Sequence, residues 1–145
     1  MALSKGLERA VVSISHVGFY RELGPGRPGL YHGSIYDAIS EEPILDELKL
    51  IDYLHQGVPL IDIMEAGQDV ISHDKYIAGC SSILSDGSWI WRLDLPYYLG
   101  RYHLHLDSKF LEHVKGMQYR VPVLAKGQIS SLAQNVAFNV LGMSH

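Results

Sequence analysis

Three histidines, His103, His105 and His113, are the residues whose type and spacing most invite chemistry. His103 and His105 are two positions apart, so on a strand both rings reach one side, and His113 is available as a third ligand. Such a trio would suit a small metal-dependent hydrolase. The ligand set is nevertheless incomplete, and its spacing belongs to no diagnostic motif. His73-Asp74 is a dipeptide shared with metal-dependent phosphohydrolases, but it lacks their partner histidines. Gly79-Cys80-Ser81-Ser82 offers nucleophiles without the strained strand-to-helix elbow that exposes a hydrolase serine. Cys80, the single cysteine of the chain, reads as a small buried hydrophobe on a hairpin strand.

Two further groups could bind. The stretch DGSWIWRLDLPYYLGRYH (86–103) holds both tryptophans and three of nine tyrosines. An aromatic pocket at Trp89, Trp91 and Tyr97 would stack a sugar or a base, as in a small-molecule binding module. Residues 37–74 hold ten acids, Asp37, Glu41, Glu42, Asp46, Glu47, Asp52, Asp62, Glu65, Asp69 and Asp74, against the one base Lys49. Nothing in their spacing singles out a general acid/base pair. A local balance of −9 repels phosphate backbones and attracts basic partners, so nucleic acid is not the expected ligand. The expectation is a non-enzymatic protein with neither cofactor nor metal.

The elements that must position these residues are legible from periodicity. In LERAVVSISHVGFY, Leu7, Ala10, Val11 and Ile14 have helical spacing while Val12, Ile14 and His16 alternate like a strand. LGPGRPGLYHG (23–33) is a loop, and Pro25 and Pro28 remove amides that a phosphate nest would need. Glu42-Pro43 predicts the opening of a helix with Ile44, Leu48 and Ile51 on its apolar line, widened by Leu45 and Leu54, and with Gly57 as its stop. Asp46, Glu47 and Asp52 fall off that line, toward solvent. VPLIDIM (58–64) predicts a largely buried strand.

Asp86-Gly87 between two strand-forming runs predicts a type I′ hairpin. Beyond it Trp89, Trp91 and Leu93 share one face, and Ile90 and Arg92 the other. Asp94 suits an N-cap, with Pro96 in the first helical turn and Leu95, Tyr98, Leu99 and Tyr102 as one stripe. That change of period, from strand to helix at a cap, assigns most of the aromatic stretch to packing. His103 to Asp107 alternate like a strand. Asp107 or Ser108 caps another helix, with Phe110, Leu111 and Val114 buried and Gly116 at its end. YRVPVL (119–124) predicts a short edge strand. Ile129, Leu132, Ala133, Val136, Ala137 and Val140 line one face of a last helix that stops at Gly142.

Composition agrees with a globular chain: 145 residues, 47 % hydrophobic and 19 % charged, with a net charge of −4 and a mean hydropathy of +0.03. No run reaches the roughly 20 apolar residues of a membrane helix. MALSKGLERAVVSIS lacks the pattern of a secretion signal, so the expected location is cytoplasmic and no membrane partner is expected. The predicted fold is α+β, a single domain over residues 1–145, with a central antiparallel sheet carrying the Asp-Gly hairpin and flanked by short helices.

Residues 86–122 also resemble a pattern found in small bacterial proteins. It comprises Asp86, Gly87, Trp89, Trp91, Asp94, Leu95, Tyr97, Tyr98, Tyr102, His103, Phe110, His113, Tyr119, Val121 and Pro122, with YLHQG and AGCSS extending it back to about residue 53. The pattern is similar to immunity proteins of bacterial toxin systems, including contact-dependent growth inhibition. The resemblance implies a protein that binds and neutralises a cognate toxin domain in the cytoplasm. An RNase or tRNase toxin has a basic cleft, which an acidic inhibitor surface complements. Asp37, Glu41, Glu42, Asp46, Glu47, Asp52 and Asp62 are the candidate toxin-facing residues.

Overall fold

The computed structural model describes residues 14–25 and 29–142. The candidate helical positions Leu7, Ala10 and Val11, and Pro28 of the loop, lie outside the described residues. The fold is α+β, as expected, but its four-stranded sheet is mixed rather than antiparallel. In chain order come β1 (Ser15–His16), a 3-10 turn (Arg21–Leu23), α1 (Ile35–Ala38), α2 (Glu47–His55), β2 (Val58–Ile61), β3 (Ala66–Gln68), β4 (Tyr76–Ala78), β5 (Ile83–Ser85), β6 (Trp89–Arg92), α3 (Leu95–Tyr102), α4 (Ser108–Gly116) and α5 (Lys126–Asn135). A π turn, Val136–Val140, continues α5. The large sheet runs β1-β6-β5-β2, and β3 and β4 form a separate two-stranded sheet. β1 lies parallel to β6, with Ser15 beside Trp89 and His16 beside Ile90.

Strand alternation sorts the side chains into two cores. On one face Leu84 and Trp91 meet Ile35, Leu50, Tyr53, Leu54, Leu95, Leu99 and Phe110 from α1 to α4. On the other, Ile83 and Ile90 meet Phe19, Tyr31, Leu132 and Val136. Trp91 is wholly buried, and its indole Nε1 donates to Leu54 O at 3.1 Å. The aromatic stretch is thus mainly core, continued by Tyr98 and Leu99 on α3.

The β5–β6 hairpin forms with a different turn. Asp86 N donates to Trp89 O, which leaves Gly87 and Ser88 as the central pair. Gly87 has φ +99° and Ser88 is not left-handed, the pattern of II′ rather than I′. Asp86 Oδ1 accepts from Ser88 N at 2.9 Å and from Trp89 N at 2.8 Å, closing the turn from its side chain. Cys80 lies in a turn before β5, not on the strand, and it is buried.

Asp94 does occupy the N-cap position of α3 but caps nothing. Its carboxylate instead grips Arg92 through two contacts, 3.0 and 2.9 Å, inside the protein. Arg92 Nη1 continues to Leu23 O and to the Tyr31 hydroxyl, tying the loop 23–31 onto the sheet. Pairing and hydrogen bonds let both charges sit 5 % exposed or less at the side chain. Asp107, by contrast, is the working N-cap of α4, accepting from Lys109 N.

The helix expected to open at Glu42-Pro43 begins at Glu47. Asp46, at φ +60°, is left-handed and breaks the helical phase before it. The buried positions are Leu50, Tyr53 and the expected Leu54, while Leu45 and Leu48, also expected inside, are 83 % and 80 % exposed. The proline-bearing edge strand is β2, where Pro59 lies opposite Leu84 next to an irregularity in register. β2 is only partly buried, and among the described residues it is an edge strand of the sheet. Residues 119–124 form no strand: Gln118 and Tyr119 have φ of 55° and 59°, and Val121 N donates to the Gln56 side chain instead of a neighbouring strand.

Candidate partner-binding face

Segment 37–52 is pinned from behind. A β-bridge joins Ile39 to Leu104, Ser40 N donates to His103 O at 2.5 Å, and His105 N donates to Ala38 O at 2.7 Å. This anchors the loop between α1 and α2 and leaves its other side to solvent. Asp37, Glu41, Glu42, Asp46 and Asp52 are exposed, and none forms an ion pair among the described residues. Five like charges on one short segment, none in an ion pair among the described residues, raise a negative local potential.

Two expected members of this face behave otherwise. Glu47 turns inward, its side chain only 10 % exposed, and meets His103 Nδ1 at 2.8 Å. It fastens α2 to the end of α3 and is unavailable to a partner. Asp62 is exposed on the loop after β2 and shares no hydrogen bond or ion pair with 37–52 among the described residues.

The left-handed Asp46 adds an apolar element that the sequence reading placed inside. Leu45 borders a groove of about 210 Å³ whose walls include Ile44, Leu50, Leu111, Val114 and Tyr119, with Glu112 and Lys115 at its margin. Tyr119 ties the groove to the acidic segment: burial, then the Asp46 carboxylate hydrogen-bonded to it, push its hydroxyl pKa up. Lys49 Nζ lies 5.8 Å from the same ring. Leucines standing this far out among unpaired acids make a surface with both a long-range and a contact component.

The other sequence candidates disperse. His103 is held by Glu47, and His113 Nε2 meets Asp86 Oδ2 at 2.8 Å, while His105 is exposed elsewhere. No group of three His, Cys, Asp or Glu side chains is placed to hold a metal among the described residues. The His103–His105–His113 hydrolase site therefore does not assemble. His105 shares a pocket of about 220 Å³ with His16, His32 and Asp107, a grouping invisible at a separation of 89 positions. Burial and then the nearby His32 lower the His16 pKa, with Asp107 opposing them. Trp89, Trp91 and Tyr97 line none of the three pockets described among these residues. The two tryptophans pack on Phe110, and the Tyr97 hydroxyl donates to Asp69 at 2.7 Å.

Asp69, one of the ten acids of residues 37–74, is wholly buried. Its Oδ1 accepts from Ile71 N and Ser72 N, and its Oδ2 from the hydroxyls of Tyr97 and Tyr102 and from Arg101. Burial alone would raise its pKa, but the hydrogen bonds from Tyr102, Ser72 N, Tyr97 and Ile71 N outweigh it and hold the value at about 2. Arg101 then reaches out to Asp74 with two contacts of 2.8 Å, and the Ser72 hydroxyl also donates to Asp74. Tyr97, Tyr102 and Arg101 donate to these carboxylates, and Arg101 Nη1 also to the Tyr97 hydroxyl, so the cluster locks the loop 69–75 onto α3. Asp86 is equally saturated, since Tyr53 also donates to it at 2.5 Å.

Compared with known proteins, the chain matches no family model, no curated protein and no solved structure.

Proposed function

We propose that the protein is a non-enzymatic immunity protein that captures a basic toxin domain, a nuclease of the RNase or tRNase kind, through its 37–52 face, in the cytoplasm of the cell that makes it. The observation that carries this reading is the set of exposed, unpaired acids Asp37, Glu41, Glu42, Asp46 and Asp52 around leucines that are 83 % and 80 % exposed. Unpaired acids steer a basic domain in and raise its association rate. Exposed apolar side chains next to them supply short-range contact. The resemblance of residues 86–122 to immunity proteins points to a toxin as that domain. No described helix is long and apolar enough to cross a membrane, which suits a partner met in solution.

The test is calorimetric titration against the toxin domain encoded immediately upstream of the gene. The expected result is a one-to-one complex of nanomolar affinity or tighter that weakens with salt. Replacing Glu41, Glu42 and Asp52 by Lys should lower affinity about a hundredfold, mostly through slower association, with the fold intact. Asp46 is left alone because a lysine at φ +60° would add strain to the charge change. No heat of binding, or a charge-reversed variant that binds unchanged, would refute the reading.

A further inference from the structure

We infer that the groove walled by Ile44, Leu45, Leu111 and Tyr119 receives an apolar side chain of the basic partner, so that one leucine-sized anchor, seated beside the acidic segment 37–52 that supplies Ile44, Leu45 and Leu50 to its walls, gives the face its grip. This inference rests on the acidic-face reading and specifies its contact chemistry. The groove's size selects the occupant. At about 210 Å³ it is smaller than the roughly 300–1,000 Å³ of small-molecule sites, and it suits one or two inserted side chains. Its walls are mainly aliphatic, so the inserted group is apolar. Charge selects the surroundings of that group. Segment 37–52 carries six acids against Lys49, of which only Glu47 is tied up in an ion pair. A second copy of this chain would set that charge against itself, whereas an apolar side chain flanked by Lys or Arg meets it favourably. Lys49 and Lys115 at the margin temper the field at the groove mouth, which leaves burial of the anchor to supply the local affinity.

Two synthetic helical peptides of equal length and equal lysine count separate the terms. One carries leucine at i, i+3, i+4 and i+7, and the other carries serine at those positions. Each is titrated into the isotope-labelled full chain and followed by NMR. The leucine peptide should bind about tenfold tighter or better, with shifts concentrated at Leu45, Leu50, Leu111, Val114 and Tyr119. Leu45→Asp, at a side chain already in solvent, should erase that advantage with the rest of the spectrum unchanged. Glu41→Lys with Glu42→Lys should weaken both peptides alike. Equal affinity for the two peptides would overturn the groove and leave the acidic face standing. Shifts from neither peptide in 37–52 would overturn both. A dimer of the free protein that Leu45→Asp dissociates would make a second copy the occupant and the inference wrong.

Discussion

Replacing Asp69 by Asn tests whether the buried carboxylate holds the loop 69–75 onto α3 through its charge. The folded-state pKa of about 2 lies below the ordinary 3.8 because the tyrosine hydroxyls and backbone amides around it overcome the effect of burial. At about 1.4 kcal/mol per pH unit, that gap is worth about 2 kcal/mol of stability. A depressed carboxylate contributes fully above its unfolded value, and the contribution disappears as pH falls through its folded value. At neutral pH Asp69→Asn should therefore be less stable by about 2 kcal/mol or more, since the amide's N–H₂ also faces groups that donate. Between about pH 4 and about pH 2 the gap between the two proteins should close from the wild-type side. Urea unfolding followed by tryptophan fluorescence measures it, because Trp91 is wholly buried and reports global unfolding. Curves that run parallel across that pH range, or no gap at neutral pH, would refute the charge argument.

Phe110→Ala removes the ring on which Tyr53, Trp89 and Trp91 all converge, and should cost about 3–5 kcal/mol in denaturant unfolding while red-shifting the tryptophan emission. Gly57→Ala would place a methyl 2.7 Å from Trp91 Cζ2 and 2.8 Å from Leu84 Cβ, so it should lower stability by about 1–3 kcal/mol. Gly127→Ala, where nothing lies within 4 Å in the first turn of α5, should instead raise thermal stability by up to about 1 kcal/mol.

What the sequence made legible was local. The β5–β6 hairpin, the Leu95–Tyr98–Leu99 stripe and the Asp107 cap each follow from neighbours a few positions apart. The misplacements come from two other sources. The left-handed Asp46 delays the helix to Glu47 and leaves Leu45 outside it, and within α2 the Leu50–Tyr53–Leu54 stripe faces the core, so that Leu48 is exposed. The roles of acids whose partners lie far along the chain were not legible, because spacing reveals nothing of those partners. Asp69 finds Tyr97, Arg101 and Tyr102, and Glu47 finds His103 across 56 positions. The acidic half of the candidate face was thus visible in composition, but its groove required tertiary structure. Pro122 signalled an edge strand, yet the left-handed pair Gln118–Tyr119 spent that segment on leaving α4.

The parallel pairing of β1 with β6 sets the order in which the chain can be completed. Ser15 pairs with Trp89, 74 positions later, so the first described strand finds its partner only once β6 has been made. Until then Ile14, Val17 and Phe19 have no sheet to cover and stand as exposed apolar surface on a nascent chain. The β5–β6 hairpin, closed by the Asp86 side chain, forms from residues close in sequence, whereas pairing β1 to it closes a long loop at an entropic cost. Synthesis speed between residues 20 and 92, rather than the stability of the finished fold, thus governs how long this edge is open to chaperones and to misassembly.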